Sequence, residues 1–182
     1  MTDTSIPDAE LVARANGGDS RAFSTLIERH YDLIFRMAFR SLANRQDAED
    51  ITQDVCVSLA GKISSFQGRS RFTTWLYQIT LNACRDFRRR AKSRERTIAE
   101  YHEISMLRDE LQRQRAKDAE WAYAAIDTLS EPLRETALLV VAEGLNHAEA
   151  GEILGISEST VSWRMLKIRE ELRLLAKTEA AI

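Results

Sequence analysis

"GISESTVSWRMLKIREEL", residues 155–172, decides the fold of the C-terminal part of the chain. Gly155 suits the left-handed turn that closes one helix, and Ser157 suits the N-cap of the next. Val161, Met165, Ile168, Leu172 and Leu175 then recur at helical spacing and define one inward stripe. Upstream, Asn146 and Glu149 have the spacing of a capping box for "HAEAGEIL". Two helices joined by "LGIS" form a helix-turn-helix, whose second helix enters the DNA major groove by its N-terminal residues.

Off the inward stripe, the second helix presents Ser159, Ser162, Trp163, Leu166 and Lys167, with Arg164 and Arg169 at the flanks. The two hydroxyls can reach base edges or phosphates, and Lys167 a phosphate or a guanine. Trp163 and Leu166 can touch thymine methyl groups. The competing reading for Trp163 and Leu166 is packing on another protein helix. Gly151 costs about 1 kcal/mol of helix propensity in the first motif helix, but it permits close helix packing.

Working back, "WAYAAIDTL" reads as one helix, Ser130 as the cap of the next, and Pro132 as a first-turn residue. "LRETALLVVAEG" closes at Gly144. In the N-terminal half, Asp8 is positioned to cap a short helix over 8–15, broken by Asn16-Gly17-Gly18. Asp19 or Ser20 starts a long helix with Phe23, Ile27, Ile34 and Met37 inward, widened by Leu26, Leu33 and Phe35. Asp47 is the expected cap of a third helix, "AEDITQDVCVSLAGKI". Its Ile51, Val55, Ser58 and Leu59 face inward, and Asp50, Gln53 and Asp54 face out. A polar loop, 64–71, leads to a helix over 73–90. One stripe of that helix is apolar (Leu76, Ile79, Ala83, Phe87), and the other is polar and basic (Trp75, Gln78, Asn82, Arg85, Arg89). Residues 91–118 are charged and sparsely apolar, a linker with weak helical tendency.

With 182 residues, 44% hydrophobic and only 7 Gly and 2 Pro, the chain suits an all-α protein of one or two small domains. Cys56 and Cys84 have no zinc spacing and read as packing thiols of a reduced protein. No apolar run approaches the roughly 18 residues of a membrane span, so a cytoplasmic protein is expected. The formal charge of −2 conceals an asymmetry: residues 61–117 hold 14 basic and 6 acidic groups, between acidic ends. That pattern favours a local polyanion contact over a uniformly basic coat. Catalysis finds no footing, because His30, His102 and His147 are scattered and no Gly-rich phosphate loop or metal-spaced cluster occurs.

Three blocks carry a family resemblance. "DAEDITQDV" is similar to an Asp-x-x-Gln-[Asp/Glu]-Val segment. "FTTWLYQITLNACRDFRRR" is similar to a Thr-Trp-Leu-x-x-Ile-x-x-Asn…Asp-x-x-Arg-Arg signature. "LSEPLRETALLVVAEGLNHAEAGEILGISESTVSWRM" is similar to a promoter-binding domain. In this order they resemble bacterial RNA polymerase sigma factors of the small, extracytoplasmic-function (ECF) type. The resemblance implies a region 2 domain over 8–92, a flexible linker over 93–118, and a region 4 domain over 119–177. It implies core-polymerase binding through Asp50, Gln53 and Asp54. It implies recognition and opening of the minus-ten element through Phe66, Arg71, Asn82, Arg85 and Arg89. Minus-thirty-five recognition then falls to Ser159, Ser162, Trp163, Arg164, Leu166 and Lys167. An anti-sigma factor is the implied regulator; no cofactor and no metal are implied. Three departures stand out: Ser162-Trp163 replaces a basic residue followed by Ser, Ala150-Gly151 replaces the more usual Ile-Ala, and residues 91–117 are net basic, with 7 basic and 5 acidic groups, where family linkers are often acidic. The alternative is a helix-turn-helix regulator that acts on DNA without replacing a sigma factor.

Overall fold

The computed structural model describes residues 6–98, 125, 126 and 128–179. All the elements in those residues are helical. They run α1 (Asp8–Asn16), α2 (Ser20–Leu42), α3 (Arg45–Lys62), a short 3-10 turn (Ile63–Ser65), α4 (Phe72–Ile98), α5 (Glu131–Ala137), α6 (His147–Leu154) and α7 (Glu158–Glu179). The chain divides into two compact units, with the division inside α4 after Phe87.

In the first unit, α2 packs against α1 and α3. Leu11, Leu26, Ile34, Val55, Leu59 and Leu76 meet in one buried cluster with Phe72 and Cys84. The inward line of α2 runs through Ala22, Leu26, His30, Ile34, Met37 and Ser41. Phe23 and Ile27, expected at its centre, lie half-buried at its edge. His30 takes a place on that inward line. Its polarity hides it from a hydrophobic count, yet it is 8% exposed. It shares a 2.9 Å hydrogen bond with Asp8 Oδ2 and lies 5.4 Å from the Phe72 ring.

That bond also corrects the reading of Asp8 as a cap. Pro7 occupies the N-cap of α1 without a side-chain bond. The Asp8 carboxylate is taken up instead by His30 and by Arg29, whose Nη1 donates to Oδ1 at 2.7 Å. These two cross-helix contacts tie α1 to α2. Asp19 does cap α2, accepting from the Arg21 and Ala22 backbone N–H groups. The Arg14 side chain hydrogen-bonds the same carboxylate and is the main cause holding it below its usual range, with the Ala22 N–H contributing. Asp47 is not the cap of α3: Asn44 is, with its side chain accepting from the Asp47 N–H at 3.1 Å. Asp47 sits in the first turn, where a carboxylate complements the helix dipole.

Buried threonines were invisible to the apolar pattern. Thr52, Thr80 and Thr136 each donate from Oγ1 to the carbonyl four residues back, at 2.6, 2.9 and 2.8 Å. The hydroxyl is thereby satisfied inside its own helix and the residue packs like a small apolar one. α4 buries more of its circumference than the single stripe foreseen, adding Tyr77, Thr80, Leu81 and Cys84 to Leu76. It also runs to Ile98, through the first residues of the expected linker. The rest of that linker, and most of "WAYAAIDTL", lie outside the described residues.

In the second unit, α5 begins after Ser130, with Pro132 in its first turn, although the Ser130 side chain makes no capping bond. It continues as a π-helical stretch, Leu138–Ala142, where the Glu143 N–H reaches the Leu138 carbonyl at 2.9 Å. The capping box at Asn146 and Glu149 is complete in both directions. Gly155, at φ 67°, closes α6 in the left-handed conformation that favours glycine. The Thr160 N–H donates to Ser157 Oγ at 3.2 Å, capping α7. Val161, Met165 and Ile168 are buried as its periodicity predicts. A Cβ on Gly151 would lie 2.8 Å from the Ile156 carbonyl oxygen, so the turn between the motif helices passes directly over this glycine.

Candidate nucleic-acid interface

The side chains singled out in the sequence fall into three groups, on or beside α3, α4 and α7. On α3, Ile51 and Val55 are buried, which turns Asp50, Gln53 and Asp54 to solvent. One turn further on, Val57 is 77% exposed. It borders an open groove between α2 and α3, about 530 Å³ in volume, lined by Phe23, Ile27 and Cys56. Burial raises the Cys56 thiol pKa and keeps it protonated, while Cys84 is fully buried, so both thiols behave as packing groups.

The second group lies along α4. At about 100° per residue, Gln78, Asn82, Arg85 and Arg89 fall within an arc of roughly 60°. Asn82 and Arg89 are exposed; Gln78 and Arg85 are half-buried. Arg85 Nη1 donates to Asn82 Oδ1 at 2.9 Å. That contact uses one lone pair of the amide oxygen and leaves the amide N–H groups outside it, on an exposed residue. Arg71, just before α4, is exposed. Phe66 does not join this face as an open stacking platform. It is half-buried, edge-on to Phe72 at 5.5 Å and tilted over Trp75 at 5.3 Å. Aromatic packing of this kind anchors the loop 64–71 at the start of α4.

The third group is the outer face of α7. Trp163 and Leu166 are 57% and 51% exposed, so the packing alternative finds no partner helix within the described residues. They stand three residues apart, on one face, as two adjacent apolar side chains turned to solvent. The polar members around them are already oriented. Ser159 Oγ lies 2.9 Å from Ser157 Oγ, and Lys167 Nζ donates to Glu170 at 3.0 Å. Ser162 Oγ lies 2.8 Å from His147 Nδ1. Arg164 departs from expectation. It is half-buried, and its Nη1 reaches back to the Pro132 carbonyl and Thr136 Oγ1 at 3.3 and 3.4 Å, bracing α7 on α5.

His147 was missed as a member of this face. The available signal was its place at the first position of α6, directly after the Asn146 cap. Among the described residues no group of three His, Cys, Asp or Glu side chains converges to hold a metal. No helix there is long and apolar enough to cross a membrane.

Comparison with known proteins gives these faces a common context. Residues 26–94 match the family Sigma-70 region 2, and residues 119–172 match Sigma-70, region 4. The chain is 32% identical to the ECF RNA polymerase sigma factor SigM of Mycobacterium tuberculosis, over 92% of this chain and 84% of that protein. It is 28% identical to the ECF RNA polymerase sigma-E factor of Escherichia coli, over 92% and 93% of the two chains. CnrH, solved in complex with the cytosolic domain of CnrY, is 27% identical with a TM-score of 0.67, covering 94% of this chain and 97% of that one. The fold is also that of the sigma factor RpoE of Bartonella quintana, with a TM-score of 0.63 at 22% identity over 85% and 96% of the chains. With both regions present in the family's order, and relatives above 30% identity matched over most of their length, the chain belongs to the ECF family of RNA polymerase sigma factors.

Proposed function

We propose that this sigma factor divides its work among the three faces: α3 engages core RNA polymerase, α4 opens the minus-ten element, and α7 reads the minus-thirty-five element as duplex. The polymerase contact is assigned to Asp50, Gln53 and Asp54, an exposed polar row bordered by exposed Val57 and an apolar groove. A row of that kind suits a partner helix that brings basic groups and an apolar edge together. The region 2 domain is taken as 8–92 and the region 4 domain as 119–177, with 93–118 between them.

The observation that carries the minus-ten assignment is the Arg85–Asn82 hydrogen bond on an exposed basic stripe. Opening a duplex needs cationic tracking of the backbone and directed donors for a base taken out of the stack. Arg71 and Arg89 supply the first, and the Asn82 amide, held by Arg85, supplies the second. Phe66 contributes by holding the loop. On α7, Ser159, Ser162, Trp163, Leu166 and Lys167 form the reading surface, and Arg164 fixes the helix that carries it.

The chain acts in the cytoplasm, without cofactor or catalytic chemistry of its own; the chemistry belongs to the polymerase. Sequestration by an anti-sigma factor belongs to the same reading, supported by the Bartonella quintana RpoE structure, solved with the anti-sigma factor NepR. A regulator acting without polymerase is disfavoured, because region 2 accompanies the helix-turn-helix.

Asn82→Ala tests the division of labour. Holoenzyme containing this variant is expected to assemble normally and bind the closed promoter, but to form fewer open complexes, scored by permanganate reactivity of unpaired thymines. Wild-type open-complex yield would reject the role given to Asn82.

A further inference from the structure

We infer that His147 is a specificity-setting positioning residue of the DNA-reading face, acting through Ser162. This rests on the reading of Ser162 as a DNA contact. The two side chains come from different helices of the motif, fifteen residues apart, and meet at 2.8 Å between Nδ1 and Oγ. His147 opens α6 directly after its Asn146 cap, and the completed capping box fixes the backbone that carries the ring. Ser162 is exposed on α7, beside Trp163.

A serine hydroxyl has one hydrogen and two lone pairs, and an unconstrained one serves as donor or acceptor as the base requires. It therefore reads poorly. The His147 ring removes that freedom. Where Nδ1 accepts, Ser162 spends its hydrogen on the ring and offers only lone pairs to the groove. It then suits the amino groups of adenine or cytosine. Where Nδ1 carries a hydrogen, Ser162 accepts from the ring and points its own hydrogen outward. It then suits the acceptors of guanine or thymine. Where Nδ1 accepts, the donor role is blocked; where Nδ1 donates, one lone pair is taken and the hydroxyl hydrogen is steered outward, so in either tautomer the pair narrows a choice that a lone hydroxyl leaves open. In the free protein water competes for this exposed bond; a docked duplex excludes that water and strengthens it. This arrangement also accounts for a small hydroxyl standing where the family often carries a basic residue. Precision comes from His147 on the first helix of the motif and not from charge.

The test uses holoenzyme reconstituted with core RNA polymerase, on a promoter fragment whose minus-thirty-five element carries each of the four base pairs at every position in turn. Ser162→Ala locates the position that Ser162 reads. At that position His147→Phe, which keeps a ring but no nitrogen, is expected to reduce discrimination by about three- to tenfold, the span of a single hydrogen bond. The double variant is expected to be no worse than either single one. His147→Asn, whose amide falls near the place of Nδ1, is expected to restore most of the discrimination. Thermal melting of each variant verifies folding. Unchanged discrimination in His147→Phe, or a loss of equal size at every base pair, would overturn the inference while leaving Ser162 a DNA contact. If Ser162→Ala matches wild type at every base pair, the assignment of Ser162 fails, and the inference with it.

Discussion

At the scale of single residues, exposure separates the side chains proposed to read DNA from those that contact other parts of the protein. Trp163 and Leu166 keep more than half of their surface in water although both are large and apolar. Isolated exposed apolar residues are ordinary, and it is their adjacency on one face of α7 that supports the contact role proposed for this pair. Leu166→Ala is expected to weaken promoter binding by about 1–3 kcal/mol at one base step, with other steps unchanged. Binding titrations against single-base variants of the upstream element measure this, and a uniform loss would show a packing role. Arg164 belongs to the other class. Its basic side chain invites assignment to DNA, yet its guanidinium is turned toward Pro132 and Thr136. Phe66 is likewise in contact with protein rings, those of Phe72 and Trp75.

At the scale of elements, the helix-turn-helix is held in register by a capping box, a left-handed glycine and one very close approach. A Cβ on Gly151 would meet the Ile156 carbonyl oxygen at 2.8 Å, and backbone atoms do not yield as side-chain tips do. Gly151→Val is therefore expected to lower stability by about 1–3 kcal/mol through overpacking, despite the poor helix propensity of glycine. Denaturant unfolding of the full chain measures it; equal or greater stability would show that the turn can shift freely. This element was legible in the sequence because its signals are local. Asn146, Glu149, Gly155 and Ser157 act on backbone within a few residues of themselves. The N-terminal helices were less legible because their deciding contacts are distant. Nothing near Asp8 announces that its carboxylate will meet Arg29 and His30 of the next helix. Nothing near His30 announces that a polar ring will sit at the centre of the inward stripe. The same limit applied at the site. Asp50, Gln53, Asp54 and Asn82 could be placed outward from periodicity alone, whereas the orientation of Asn82 by Arg85 and of Ser162 by His147 required the folded geometry.

At the scale of the whole molecule, the uneven charge along the chain acquires a purpose. The acidic side chains Asp50 and Asp54 lie on the face assigned to polymerase, and the basic groups of 61–90 lie on and before the helix assigned to DNA opening. A net charge of −2 is therefore no obstacle to promoter binding, because the chain works as part of a larger assembly. α7 need not supply the full affinity for DNA, and its reading face can depend on two apolar side chains and positioned hydroxyls. Run-off transcription from genomic DNA fragments, with bacterial core polymerase in the presence and absence of this chain, tests that account most directly. The expected result is a set of discrete, promoter-specific transcripts that core polymerase alone does not produce. Binding of the chain to duplex DNA with no gain in specific transcription would contradict it.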